Sequence, residues 1–436
     1  MQTTIYFKEK GTIMNSINTN RIFLFLIIFV ICFIIFCMRR PDIISHPQLW
    51  AEDGRIWLGQ AYALGPLKSI ILVQDGYYQT ISKLVATFSM LFPLYLSPFI
   101  FTVIALSIRC LIITFILSNR FKSVSIYPRI LISIFILTMP HLEEVHANVT
   151  NTHWYMAIWL FLVLVADRTD GLYWKAHDFL VMVVAGLSGP FIVFLAPVAL
   201  LRITNGDILK TPINAVKNAF RNLNLFYITF AIVCLIQIAA ILLSSKGSRP
   251  TAPLGAGVGI LMDILSSRVF LGSFLSESLS RKVWDLHALN YFVSLCGLSI
   301  SAYVLLKGNW KEKALVIFPY LMLGFALARP VIARDQPQWP LLQIGPGQRY
   351  FVIPAIFWVS ILLAFTNMLH GHVKKLAFCI VACSVILSGI VSFKIEKRPN
   401  NGWVQEAYKY ETAEPGSRVK MHTLPHSGWY LDIIKK

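Results

Sequence analysis

The chain has 436 residues, 56% of them hydrophobic and 14% charged, with a mean hydropathy of +0.64. A soluble globular chain carries about a quarter charged residues, so the composition excludes that class. The formal charge of +18 reads as Lys and Arg in membrane-flanking loops, with no nucleic acid partner, because no basic–aromatic recognition module stands outside the apolar runs.

A hydrocarbon core about 30 Å thick demands apolar runs of about 20 residues. Lipid also leaves every backbone polar group to be bonded internally, so such runs become helices. In chain order they fall at 22–38, 95–118, 127–140, 154–166, 179–201, 223–243, 288–306, 314–328, 350–366 and 376–393. The run 179–201 is broken at Leu187-Ser188-Gly189-Pro190 and reads as two half-helices joined by a hairpin or re-entrant turn. The fold class is therefore all-α: a polytopic transmembrane helical protein of about eleven spans. The first run lacks a small-residue cleavage site and is followed by Arg39 and Arg40, so it reads as a retained span; Met14 is a second candidate start beside Met1.

Loop charge sets the orientation. With residues 1–21 in the cytoplasm, the inside loops carry Arg120/Lys122/Arg129, Arg168/Lys175, Arg202/Lys210/Lys217/Arg221, Lys307/Lys311/Lys313 and Lys374/Lys375. The unusual polar stretches then share the outside: 39–94, 141–153, 244–287, 329–349 and the tail 394–436. Arg39, Arg40, Arg55, Arg249, Arg281 and Arg329 also fall outside and ask for an explanation. The domain 22–393 is the transmembrane body, and 61–93 within its first outside loop reads as interfacial helices. The tail is a cap over the site or an end tied down by its aromatics. All seven Cys lie in apolar runs, so neither a disulfide framework nor a structural zinc site is indicated.

Four constellations carry chemistry. Glu52-Asp53-Gly54 suits a carboxylate held at a turn to take a proton, or an Asp53 N-cap. Gln74-Asp75-Gly76-Tyr77-Tyr78, followed by Lys83, offers a sugar platform or an interfacial anchor. His141, Glu143, Glu144, His146, His153 and Trp154 lie within about fourteen residues. Metal ligation is one reading of that set, and hydrogen bonding of a hydroxylated substrate by Glu144 or His153 is the favoured one. Arg329, Arg334 and Gly347-Gln348-Arg349-Tyr350-Phe351 suit phosphate recognition or headgroup anchoring. Arg109 lies deep in a span, placed there for function or snorkelling inward.

Glu52-Asp53-Gly54 followed by Gly76-Tyr77 and Lys83 resembles the GT-C type glycosyltransferases, and within them the bacterial serotype-converting O-antigen glucosyltransferases. Asn151-Thr152-His153-Trp154-Tyr155, Leu187-Ser188-Gly189-Pro190-Phe191 and Gln348-Arg349-Tyr350-Phe351 with Pro354 extend the likeness over residues 22–400; Ser82-Lys83 stands where relatives tend to have Pro-Arg. The resemblance implies a GT-C-like architecture, a polyprenyl-phosphate sugar donor, a glycan or glycolipid acceptor and inversion at the anomeric carbon. It places the site on the periplasmic face of a bacterial inner membrane. Asp53 would be the base, and Glu52 would orient the acceptor or the base. Arg349, Arg334, Arg329 and Lys83 would meet the donor phosphate, and Glu144, His153, Trp154, Tyr77 and Tyr78 the sugar or acceptor. No cofactor or metal is expected, a divalent ion being left open. Two other functions use similar scaffolds: an O-antigen polymerase or ligase, and a flippase for lipid-linked sugars, which often carries internal repeats that this chain lacks.

Overall fold

The structure is a computed structural model describing residues 22–244, 252–333, 335–426 and 428–435. Arg249, Arg334 and the two candidate starts, Met1 and Met14, lie outside the described residues.

Among the described residues six helices are long and apolar enough to cross a membrane: α1 (Ile22–Arg39), α6 (Ser97–Leu117), α12 (Leu225–Leu243), α15 (His287–Lys307), α17 (Val352–Met368) and α18 (Gly371–Val391). Three shorter apolar helices run among them: α7 (Ile126–Thr138), α8 (Thr152–Val165) and α10 (Phe191–Ile203). Two more carry charge in their first two turns: α9 (Leu172–Gly186), with Lys175 and Asp178, and α16 (Trp310–Ala328), with Lys311, Glu312 and Lys313. Each matches an expected run to within five residues, except that α9 begins seven residues before the run 179–201. The broken run is a helical hairpin, α9 and α10 reversing through residues 187–190.

Burial orders the bundle. In α6 and α17 67% of the apolar window is buried, whereas α1, α12, α15 and α18 bury only 17–28%. The outer helices thus turn Leu, Ile and Phe outward along their length. Apolar surface on that scale is unfavourable in water and neutral in lipid, so the body is a multi-pass membrane bundle with α6 and α17 at its centre.

One end of the bundle is built from short elements. After α2 (Asp42–Ser45) comes a π-helical turn (Asp53–Leu58), then α3 (Gly59–Leu64), α4 (Pro66–Ile71) and α5 (Thr80–Ser89). Between α4 and α5, Gln74 and Tyr77 exchange backbone hydrogen bonds across Asp75-Gly76. Both tip residues have positive φ (53° and 95°), the geometry that makes Asp-Gly a tight-hairpin signal. The tail departs from the all-α expectation: α19 (Trp403–Glu411) is followed by an antiparallel hairpin, β1 (Arg418–His422) on β2 (Tyr430–Ile434), in register Arg418↔Ile434 to His422↔Tyr430. This tail is ordered onto the first loop. Leu424 forms a backbone bridge with Trp50, Arg55 lies over the Trp429 and Tyr430 rings, and the Trp403 indole donates to the Tyr95 carbonyl.

Candidate active site

The acidic motif is entered through Ala51, at a φ of 44°, and continues into the π-helical turn. Asp53 is 1% exposed. Its two oxygens accept the Thr150 amide (2.7 Å) and the Val149 amide (3.2 Å), and the Thr150 hydroxyl donates as well while receiving the Trp57 indole N–H (2.8 Å). These amides lead into α8, whose N-terminus attracts negative charge. Burial still dominates, pushing the Asp53 carboxyl up to about 7 against those three donors. Glu52 is half-buried. Loss of water raises its carboxyl above the usual range; Arg349 opposes that, and Glu144 and Asp75 add to it. The acid that shares its surroundings with Arg349 is therefore Glu52.

Two dipeptides meet residue for residue across about two hundred positions of chain. Gln348 accepts the Glu144 amide (2.9 Å) and donates to the Glu143 carboxylate, while Arg349 pairs with the Glu144 carboxylate. The other guanidinium nitrogen of Arg349 donates to the Val331 carbonyl (2.8 Å) and the Tyr350 hydroxyl (3.0 Å). At 27% and 17% side-chain exposure, Arg349 and Glu144 are reachable from solution but fixed in place. Asn148 and Asn151 both donate to the Glu144 carbonyl (2.7 and 3.2 Å). The second Glu144 oxygen and the Trp154 indole nitrogen are buried without a partner among the described residues.

The same loop explains four arginines. Arg39 donates to the carbonyls of Leu137 (3.0 Å) and Met139 (2.9 Å), Arg40 and Arg398 to that of Glu143 (3.1 and 2.8 Å), and Arg109 to that of Val145 (2.8 Å). Arg39 and Arg40 also bond the carbonyls of Phe393 and Glu396, tying the tail to α1. Arg109 turns toward this loop, over the Tyr155 ring, and so does not snorkel inward. Guanidinium groups directed at backbone carbonyls are braces, which accounts for Arg39 and Arg40 on this face. Arg55 stacks on the tail's aromatics and Arg281 pairs with Glu277. Of the five non-glycine residues with positive φ among the described residues, four, Ala51, Asp75, His141 and Ala147, border this region. Strain of that kind persists where surrounding structure over-determines the backbone.

The remaining predicted residues are spread around these contacts. His153 stacks on Phe191 (5.3 Å) and Trp154 lies edge-on to Tyr350 (5.9 Å), so both wall the site from behind within an aromatic cluster. Tyr77 and Tyr78 lie on the hairpin beside Asp75, with the Tyr78 amide held by Gln237 of α12. Lys83 is buried and donates to the Leu72 carbonyl. Arg329 ends α16, exposed, two residues before Val331. His141 faces Ser280 (3.4 Å) and His146 the Phe36 carbonyl (3.2 Å), so the histidines of the loop diverge. Sequence reasoning passed over Arg398, whose guanidinium lies 3.7 Å from the centre of the Trp50 ring, and Arg268, buried over Phe351 (4.3 Å).

No family model and no curated protein matches the chain. Among solved structures it is similar to the oligosaccharyltransferase of the archaeon Archaeoglobus fulgidus in three structures. These are a complex with zinc and sulfate (13% identity, TM-score 0.42, 88% of this chain and 55% of that one), the apo form (13%, 0.40, 90% and 58%) and a complex with an inhibitory peptide and a dolichol-phosphate (12%, 0.39, 89% and 58%). The chain thus spans 55–58% of the archaeal enzyme's length.

Proposed function

We propose that the chain is a membrane glycosyltransferase of GT-C type. It moves a hexose, such as glucose, from a polyprenyl-phosphate carrier to a cell-surface glycan such as O-antigen, on the periplasmic face of a bacterial inner membrane. The observation that carries the reading is the Arg349–Glu144 ion pair at one end of an apolar bundle, with Glu52 close enough to feel both charges. A raised carboxyl beside a fixed guanidinium supplies the two groups that inverting transfer from a phosphate needs.

In this reading the roles within the acidic pair are exchanged relative to the resemblance. Glu52 takes the proton of the acceptor hydroxyl as its oxygen attacks the anomeric carbon. The bond from that carbon to the phosphate oxygen breaks, and the carrier phosphate leaves with the electron pair. Arg349 neutralises the charge that develops there. Asp53 positions the Val149–Thr150 amides and through them the Glu144 loop. Leu67 and Ile71 of α4, both open, supply apolar surface near the site for the carrier chain. Glu144, with one oxygen unpartnered, binds a sugar hydroxyl.

The test is transfer of label from a radiolabelled polyprenyl-phosphate hexose to glycan in membranes that contain or lack the protein. Label moving only with the protein supports the transferase. No movement, with donor and acceptor shown competent in a parallel reaction, turns the assignment to the polymerase, ligase or flippase class.

A further inference from the structure

At the other end of the bundle the far ends of α8, α9 and α10 and the start of α12 frame a cavity of about 590 Å³. The 14 residues of α8 separate it from Thr150 and Asp53 by about 20 Å. Arg168, Lys175 and Arg202 line it, with Asn222 and Tyr227. Two carboxylates share the wall. Asp178 is occupied by Arg120 (3.0 and 2.8 Å) and His177 (3.0 Å), and Asp170 stands 3.8 Å from Lys175 with both side chains exposed. Arg202 directs one nitrogen at the carbonyls of Val163, Leu164 and Ala166, which fixes the guanidinium at the rim. Arg168 reaches Asn205 (3.2 Å). The cavity is cationic on balance.

Beside it lies α11 (Pro212–Arg221), which leads directly into the span α12. Only Ala215 of this helix is buried. Ile213, Val216 and Phe220, spaced three and four apart, turn one apolar stripe outward at 85%, 41% and 70% exposure. Lys217 and Arg221 lie on the same helix, and Lys210 shortly before it. A short basic helix with an open apolar stripe, joined to a span, is at rest in the plane of a bilayer surface.

We infer that this cavity holds the phosphate of an anionic phospholipid from the leaflet opposite the candidate active site, with α11 lying in that leaflet beside it. Arg168, Lys175 and Arg202 meet the phosphate oxygens, and Asn222 and Tyr227 offer hydrogen bonds to headgroup hydroxyls. The stripe of α11 borders the acyl chains. The same phosphate chemistry is offered by free phosphate, and the test separates the two.

The full chain, purified in detergent and delipidated, is titrated with phosphatidylglycerol or phosphatidylcholine, and bound lipid is counted by native mass spectrometry. The wild type should prefer phosphatidylglycerol. Arg168→Ala combined with Lys175→Ala should weaken that binding about 25-fold, from about fivefold for each basic residue at the surface, with an unchanged unfolding midpoint. Phe220→Ser, which alters no charge, should also lower retention. Equal binding of the two lipids, or wild-type retention in the double variant, overturns the inference. Displacement of the lipid by an equal concentration of inorganic phosphate overturns the lipid assignment and leaves a site for free phosphate.

Discussion

Replacing Arg349 with lysine keeps the positive charge and removes the planar fork. The guanidinium is held between Glu144 on one side and the Val331 carbonyl (2.8 Å) and Tyr350 hydroxyl (3.0 Å) on the other, so its plane is set before any donor arrives. A lysine ammonium in this place keeps the pairing with Glu144 but cannot also hold the second set of partners or present two parallel donors to a phosphate. The loss is one charge-assisted hydrogen bond in the transition state, about 1.5–3 kcal/mol. That corresponds to a fall of about 10- to 140-fold in kcat/KM. The control is Arg55→Lys: Arg55 is exposed and stacked 5.4 Å from the Trp429 ring centre, an interaction that lysine also makes, so activity should stay within about fivefold. Both variants are assayed with a labelled polyprenyl-phosphate hexose in washed membranes, with protein levels matched by immunoblot. Equal tolerance at the two positions would refute the phosphate role and leave Arg349 as a brace for Glu144.

Two further outcomes follow from the geometry. Asp53 titrates at about 7 in the folded chain against 3.8 for an ordinary carboxyl. Between those values the folded state holds more protons than the unfolded one, so stability should fall as pH rises from about 4 to 7, by a few kcal/mol at most, and level off above. Asp53→Asn should flatten that part of the profile of unfolding midpoint against pH in detergent; an unchanged slope would assign the titration elsewhere. Gly54→Ala would bring a Cβ within 2.6 Å of the Thr423 methyl, an overpacking of about 1–3 kcal/mol between the acidic motif and the tail. The expected result is faster protease cleavage within 394–436 while the bundle stays intact, and cleavage at the wild-type rate would show that the contact relaxes freely.

The spans were legible because each is a local property, about twenty apolar residues between polar ends, and the reversal after α9 was legible because Gly189 and Pro190 announce it. The roles within the site were less so. Gly54 follows two acids and looks like a turn glycine, yet it does not take a positive φ; it is small because Thr423, some 370 residues later, packs against it. Arg39 and Arg40 were anomalies in a topology read from loop charge, since nothing local reveals that their partners are the carbonyls of Leu137, Met139 and Glu143. Likewise Asp53 and Glu52 are equivalent as adjacent letters. Only the approach of Val149 and Thr150 from another loop encloses one and leaves the other beside Arg349. The hairpin of β1 and β2 was missed although Arg418–His422 alternates polar and apolar residues, because five residues are a short run on which to read a period.

The most direct test of the account compares sugar transfer by wild type, Glu52→Gln and Asp53→Asn across pH, with folding monitored in the same preparations. Glu52→Gln should lower the transfer rate by about 10² to 10⁴ while leaving the unfolding midpoint near that of the wild type. Asp53→Asn should act through stability and loop order, shifting the midpoint along with the rate. Full loss of transfer in Asp53→Asn with an unchanged midpoint, beside near-normal transfer in Glu52→Gln, would contradict it and return the base to Asp53.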